Sequence, residues 1–309
     1  MSELVRPRHG VVLVNLGTPD EPTPTAVRRF LREFLSDRRV VNIPRLIWLA
    51  ILHLFILPFR PHHVAELYRS VWSEGDSPIR RILKEQSAAL QQRLQNNHPD
   101  IELYVVPAMT YGNPSLASAL DQLQQQGVEQ VAVLPLYPQY SVTTTAPVYD
   151  AVQRWCATQT ALPALSLMKD YYKHPLYLQA LARKIQDFWQ QDGQPTRLLF
   201  SFHGLPQAFI DNGDPYFDRC RETAMRVAAI LGLESDAWAY AFQSRLGSQP
   251  WIKPYTDELL QTWGAQGIST VHTVCPGFSA DCLETLEELA EENKHLFLES
   301  GGKHYAYIP

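Results

Sequence analysis

The chain has 309 residues, 45% of them hydrophobic, which excludes a disordered protein and gives enough length for two domains or lobes around large cores. Its 27 basic and 32 acidic residues leave a net charge of −5 with no long block of one sign, so nothing in it favours nucleic acid as a partner. Cys156, Cys220, Cys275 and Cys282 form no Cys-x-x-Cys pair, and MSELVRPRHG leads directly into a strand-like run without a signal-peptide apolar core, so the expected compartment is a reducing cytoplasm.

Short β-type runs alternate with longer helical patterns. In the first half the strand-like runs are residues 10–16, 101–107 and 130–136, and in the second half 197–202, 238–242 and 269–275. Helical periodicity covers 26–36, 81–94, 117–125, 175–190, 218–231 and 283–297. The alternation predicts an α/β protein built of βαβ units, with parallel sheets flanked by helices. Two lobes of the same plan, 1–150 and 151–309, are the simplest arrangement.

Residues 46–58 (LIWLAILHLFILP) are the strongest apolar run, shorter than the roughly 20 residues of a spanning helix. A buried core helix and a greasy lip touching a membrane or a large flat ligand both suit it. The run leads to Phe59-Arg60-Pro61-His62-His63, where Arg60 and His63 would meet carboxylates at the rim of such a lip.

In parallel sheets ligands bind beyond the carboxyl ends of the strands. Those positions carry Asn15-Leu16-Gly17-Thr18-Pro19-Asp20, Tyr137-Pro138-Gln139-Tyr140-Ser141, His203-Gly204-Leu205-Pro206 and Pro276-Gly277-Phe278-Ser279-Ala280-Asp281. Glycine and proline supply tight turns there, and the polar and aromatic groups face a common side. Tyr68, Ser77, Tyr140, Gln243 and Trp251 are further candidate contacts, each equally explained by packing or turn chemistry.

The sharpest chemical feature is Asp281, Glu284, Glu288 and Glu292, whose steps of three and four residues set four carboxylates on one helix face. A solvated acidic face, favoured at its start by the helix dipole, is the ordinary explanation. His203, ending the apolar run LLFSFH, offers a neutral imidazole that serves as a borderline metal ligand or as a base near neutral pH. A satisfied core histidine is the ordinary alternative. The imidazole and the carboxylates together point to a divalent-metal site, which neither does alone.

These segments resemble the ferrochelatase family. The most specific are Ser201-Phe202-His203-Gly204-Leu205-Pro206 and the stretch from Cys275-Pro276-Gly277-Phe278 through Asp281-Cys282-Leu283-Glu284 to Glu288. Supporting segments are Asn15-Leu16-Gly17-Thr18-Pro19, Tyr137-Pro138-Gln139-Tyr140-Ser141, Gly213-Asp214-Pro215-Tyr216 and Phe242-Gln243-Ser244-Arg245.

The resemblance implies a chelatase-like fold of two Rossmann-like lobes around a porphyrin cleft. It implies a lyase of heme biosynthesis that inserts ferrous iron, with His203 and Glu284 as the catalytic, metal-holding pair and Asp281, Glu288 and Glu292 as an acidic track. It suggests Arg60, His63 and Ser77 for the propionates and Leu16, Tyr68, Met109, Tyr140 and Trp251 for the macrocycle, Met109 standing where many relatives place arginine. The motifs look most like enteric-type bacterial enzymes, which use protoporphyrin IX. Gram-positive-type relatives share the fold and use coproporphyrin III.

No resident cofactor and no iron–sulfur cluster are expected, because the four-cysteine set of some relatives has no counterpart. Peripheral contact with the inner membrane through the apolar run is the expected association, and the oligomeric state stays open. Relatives usually continue past the last strand into a helix that packs on the first lobe, so if the natural chain ends at Pro309 the expectation is an apolar surface on that lobe, either uncovered or covered by a partner chain. A cobalt chelatase, a tetrapyrrole carrier and a serine hydrolase are the competing readings. The last lacks a Gly-x-Ser-x-Gly elbow.

Overall fold

The computed structural model describes residues 6–245, 247 and 249–309. The chain forms two compact units, Met1–Leu136 with Val142–Lys169, and Tyr137–Ser141 with Asp170–Pro309. Each holds a four-stranded, all-parallel sheet flanked by helices, the Rossmann-like plan expected.

The first sheet has the order β2-β1-β3-β4, with β1 Arg8–Thr18, β2 Glu102–Gly112, β3 Gln130–Pro135 and β4 Ala164–Leu167. The division between units falls after Lys169 instead of near residue 150, because β4 pairs with β3 and belongs to the first sheet. The short segment Tyr137–Ser141 belongs to the second unit, where Gln139 Nε2 donates to Thr223 Oγ1 (3.0 Å) and Ser141 Oγ to Asp214 Oδ2 (2.8 Å). At the end of β1, Gly17 has φ +136°, and a Cβ there would lie 2.0 Å from the Tyr111 carbonyl oxygen. Only glycine fits so close an approach of two strands.

The apolar run forms part of one continuous helix, Arg45–Val71, which is 27 residues long. By length and composition alone this helix could cross a membrane, so the expectation of a segment too short to span is corrected. Leu52, Leu57, Pro61, Ala65 and Tyr68 are its buried residues, and they mark one face packed inward. The step from Leu52 to Leu57 is five residues because Leu52–Ile56 is π-helical. Pro58 and Pro61 lack the N–H groups of an ordinary ladder, which favours a widened turn just before them. At the helix start, Trp48 Nε1 donates to the Leu35 carbonyl (2.6 Å) and Arg45 to that of Ser36, filling acceptors left open at the end of helix Pro24–Leu35. Leu46, Leu54, Phe55 and Phe59 point outward, with Leu46 85% and Phe59 72% exposed. The core-helix alternative is therefore excluded for that face.

The second sheet has the order β6-β5-β7-β8, with β5 Arg197–His203, β6 Trp238–Gln243, β7 Thr270–Val274 and β8 His304–Ile308. Strand alternation divides the core in two. Leu198, Phe200 and Phe202 pack with Leu178, Ile185, Ala224 and Val227 of helices Pro175–Asp192 and Tyr216–Ile230. Leu199 faces the other side, with Leu260, Trp263 and Phe297 of helices Thr256–Ala265 and Asn293–Glu299. Burial on both faces explains why β5 reads as a continuous apolar run.

Candidate active site

His203 ends β5 on the same face as Ser201 and is partly exposed. Its Nδ1 lies 2.7 Å from the carbonyl oxygen of Gly204. A carbonyl only accepts, so the neutral ring carries its proton on Nδ1 and presents a lone pair at Nε2. Gly204 is required beside it, since a Cβ would fall 2.7 Å from the Gln243 carbonyl oxygen and 3.2 Å from the Trp251 ring. Trp251 thus packs against Gly204, held by the Pro206–Trp251 bridge and the Ile252 N–H to Leu205 carbonyl bond of 3.0 Å.

Behind His203 sits a buried polar network. Ser201 Oγ donates to Gln243 Oε1 (2.6 Å) and lies 2.9 Å from Thr256 Oγ1. Gln243 pairs with His203 in the sheet register, and its buried Nε2 has no hydrogen-bond partner among the described residues. The network fixes the carboxyl ends of β5 and β6, hence the position of the imidazole.

Glu284–Glu292 is π-helical and continues into Asn293–Glu299. The wider turn brings residues four and five apart closer to one line than an ordinary helix does, which suits Glu284, Glu288 and Glu292. Glu284 and Glu288 are partly buried and Glu292 is exposed, so the three carboxylates run outward. Asp281 differs from them. Its Oδ1 accepts from Tyr307 Oη (2.8 Å) and Thr285 Oγ1 (3.1 Å), anchoring the helix start.

Burial pushes the Glu288 carboxyl above the ordinary glutamate range; hydrogen bonds from Ser244 and the His203 imidazole oppose this, and Glu284 adds to it. Ser244 donates its backbone N–H to Glu288 Oε1 (2.7 Å) and its hydroxyl to Oε2. It adopts φ +64° to do so, a backbone state uncommon for a side-chain-bearing residue. A cavity of about 370 Å³ is lined by Gln243, Ser244, Arg245, Asp257, Glu288 and Glu292. Ser244 stood in a recognised segment, yet its grip on Glu288 spans 44 positions and leaves no local sequence signal.

The remaining expected contacts separate into accessible and enclosed. Arg60 and His63 are exposed on helix Arg45–Val71, and Leu16 is half-buried at the end of β1. Tyr140 is half-buried with the Arg219 guanidinium 5.3 Å from its ring centre. Tyr68 is buried and meets Trp72 edge-on at 6.3 Å. Met109 and Ser77 are both 0% exposed, enclosed within the first unit. Met109 is locked in β2 by pairing to β1, and Ser77 precedes helix Pro78–Asn97 with its hydroxyl unpaired among the described residues. Ser77→Ala removes an unsatisfied buried hydroxyl. Its expected result in urea unfolding is unchanged or higher stability, by up to about 1–3 kcal/mol, with the KM for porphyrin unchanged.

The first unit also contains a cavity of about 700 Å³ lined in part by Arg29, Arg32, Arg45, Leu49 and His53. Thr18, Pro19 and Asp20, which follow the first strand-like run, line it too, so the strand-end reading of the sequence and the apolar run both reach this cavity. The signal was present in the basic side of helix Pro24–Leu35, directly after the Gly-Thr-Pro turn.

Comparison with known proteins matches this arrangement. The family description "Ferrochelatase" covers residues 8–309. Curated relatives named ferrochelatase include that of Acinetobacter baylyi, 57% identical over 98% of this chain and 89% of its own. That of Acinetobacter baumannii is 55% identical over 100% and 91%, and that of a Psychrobacter species 54% over 98% and 89%. Among solved structures, SirB from Bacillus subtilis with Fe3+ superposes with a TM-score of 0.51 at 12% identity, covering 97% of this chain and 88% of SirB. At that identity the likeness concerns the fold, which is the one the two parallel sheets describe. With a histidine and a carboxylate helix at the carboxyl ends of the second sheet, and matches across nearly its whole length, the chain belongs to the ferrochelatase family.

Proposed function

We propose that the chain inserts Fe2+ into protoporphyrin IX, forming protoheme as the last step of heme synthesis. The observation that carries this reading is the placement of His203 at the carboxyl end of β5, paired in register with Gln243, whose neighbour Ser244 holds Glu288 of the carboxylate helix by two hydrogen bonds. Insertion displaces two protons from pyrrole nitrogens, and the lone pairs must turn toward the metal. A site complementary to a bent macrocycle stabilises that geometry more than planar substrate or product.

His203 Nε2 either first holds the ferrous ion with Glu284 or serves as base; in the second role it accepts one pyrrole proton and the Glu284 carboxylate the other. Glu288 and Glu292 carry the proton, or hydrated metal, outward along the π-helical face toward the cavity they line. Burial raises the Glu288 carboxyl above the ordinary glutamate range, which favours its protonated form and so its part in passing protons. Exposed Arg60 and His63 suit the propionates, and Trp251, beside Gly204, suits the ring.

The proposed location is the cytoplasm, with peripheral membrane contact supported by the outward Leu46, Leu54, Phe55 and Phe59. Placing Glu at both Phe55 and Phe59 is expected to abolish flotation with anionic liposomes while turnover of soluble porphyrin persists.

The test of the reaction is anaerobic incubation with Fe2+ and, in parallel, protoporphyrin IX or coproporphyrin III, following loss of porphyrin fluorescence and growth of the heme spectrum. Faster conversion of protoporphyrin is expected. A preference for coproporphyrin would overturn the substrate, and tight binding without conversion would make the protein a carrier.

Glu288→Gln gives a pH signature. The native carboxyl titrates above its unfolded value, so its contribution to stability is full below the unfolded glutamate range and is lost as pH rises through the native titration. Glutamine does not titrate, and its carbonyl still accepts from Ser244. The stability of the variant relative to wild type is expected to rise as pH increases from the unfolded glutamate range through the native titration above it, measured by urea unfolding across that rise.

A further inference from the structure

Three potential metal ligands meet at the opposite end of the second sheet from His203. Asp192 is the last residue of helix Pro175–Asp192, His272 is central in β7, and His304 opens β8. Asp192 Oδ2 lies 3.0 Å from His272 Nε2 and 2.8 Å from His304 Nε2, and the three ligand atoms all fall within 4.8 Å of one another. The register places Thr270 against His304 and His272 against Ala306, so both imidazoles stand on one face of the sheet, under the helix that brings Asp192.

His272 is the independent observation. It is 0% exposed, occupies a position where a parallel sheet ordinarily buries an aliphatic residue, and among the described residues neither ring nitrogen has a well-aligned hydrogen bond, Nε2 standing at ion-pair distance from Asp192. Nε2 is close to the carboxylate but not aligned for a hydrogen bond, and the ring is held edge-on to Phe188 at 5.4 Å and against the His304 ring at 5.9 Å. A buried, oriented and unsatisfied imidazole is costly unless something fills its lone pair.

We infer that Asp192, His272 and His304 bind a divalent transition ion of the zinc class at a site separate from the reaction centre. Two imidazoles and one carboxylate suit such borderline ions. With metal–ligand bonds of about 2.0–2.2 Å, tetrahedral donors stand roughly 3.3 Å apart, so the observed spacings need only a few tenths of an ångström of opening. Asp192 and His304 are partly exposed, which leaves the fourth position to water. The ion ties edge strand β8, which pairs only with β7 among the described residues, to helix Pro175–Asp192. Its role is therefore structural.

The test uses the full chain in a His203→Ala background, so that the reaction centre contributes no imidazole. Protein stripped with chelator is titrated with Zn2+, counted by elemental analysis and followed by thermal unfolding, and Co2+ reports coordination through its visible spectrum. One Zn2+ equivalent with a rise in Tm is expected. His304→Gln, which keeps a donor for Asp192 but offers no imidazole, should lose that equivalent, the Tm rise and the cobalt bands, and Asp192→Asn should bind at least about tenfold more weakly. In the otherwise native chain, His304→Gln should retain normal iron insertion, which separates this site from the reaction and shows that the variant folds. Equal zinc binding with and without His304→Gln, or no zinc bound in the parent background, would overturn the inference.

Discussion

His203→Ala is expected to lower the rate of iron insertion by about 10²–10⁴-fold while porphyrin still binds, as judged by quenching of its fluorescence. The ring is the one group at the end of β5 whose geometry is set for this task. Its Nδ1–H is committed to the Gly204 carbonyl, Gly204 is fixed by its own N–H bond to Gln243, and the lone pair at Nε2 follows from both. His272 and His304 lie toward the other end of the sheet and cannot replace it. Glu284→Gln should reduce turnover in the same direction by weakening the hold on the metal. Near-wild-type rates in both variants would remove the assignment of these two residues, although family membership, which rests on the whole chain, would stand.

Phe200→Ala has the largest expected effect on stability, a loss of about 3–5 kcal/mol. Phe200 is 0% exposed at the centre of β5 and meets Trp238 edge-on at 5.9 Å. It packs among the residues that join helices Pro175–Asp192 and Tyr216–Ile230 to the sheet. Truncation leaves a cavity between backbone-tethered elements that cannot collapse to fill it. Urea unfolding should show the loss, with activity retained in the fraction that stays folded. A change below about 1 kcal/mol would mean that the second core repacks freely, contrary to its interlocked strand and helix faces.

The strands and most long helices could be read from the sequence because burial on both sheet faces leaves continuous apolar runs, and the flanking helices carry an apolar stripe. Helix Thr145–Cys156 was not read, since its Thr-Thr-Thr-Ala-Pro start resembles a loop, and Thr256–Ala265 is short with a mixed pattern. β4, with the sequence ALSL, has neither length nor β-branched residues to announce it. At the site, His203 and the glutamates were legible because their chemistry recurs at regular spacing and strand ends. Ser244 was not, because its role depends on a long-range contact and an unusual backbone angle. The same limit applies to Met109 and Ser77, whose sequence neighbours say nothing of how deeply the fold encloses them. Asp281 fell on the carboxylate face by spacing, but Tyr307 and Thr285 recruit it as an anchor.

The five-residue step at Leu52–Ile56 works as a rotational spacer. An ordinary helix turns about 100° per residue, so deleting one amino acid from that stretch would swing Arg45–Ile51 by roughly that angle relative to the segment after Leu57. Trp48 and Arg45 would then leave the carbonyls of Leu35 and Ser36, and Leu46 and Ile47 would change the direction in which they project. The phase between the two ends of this helix, and with it the shape of the greasy surface, is thus set by a single surplus residue.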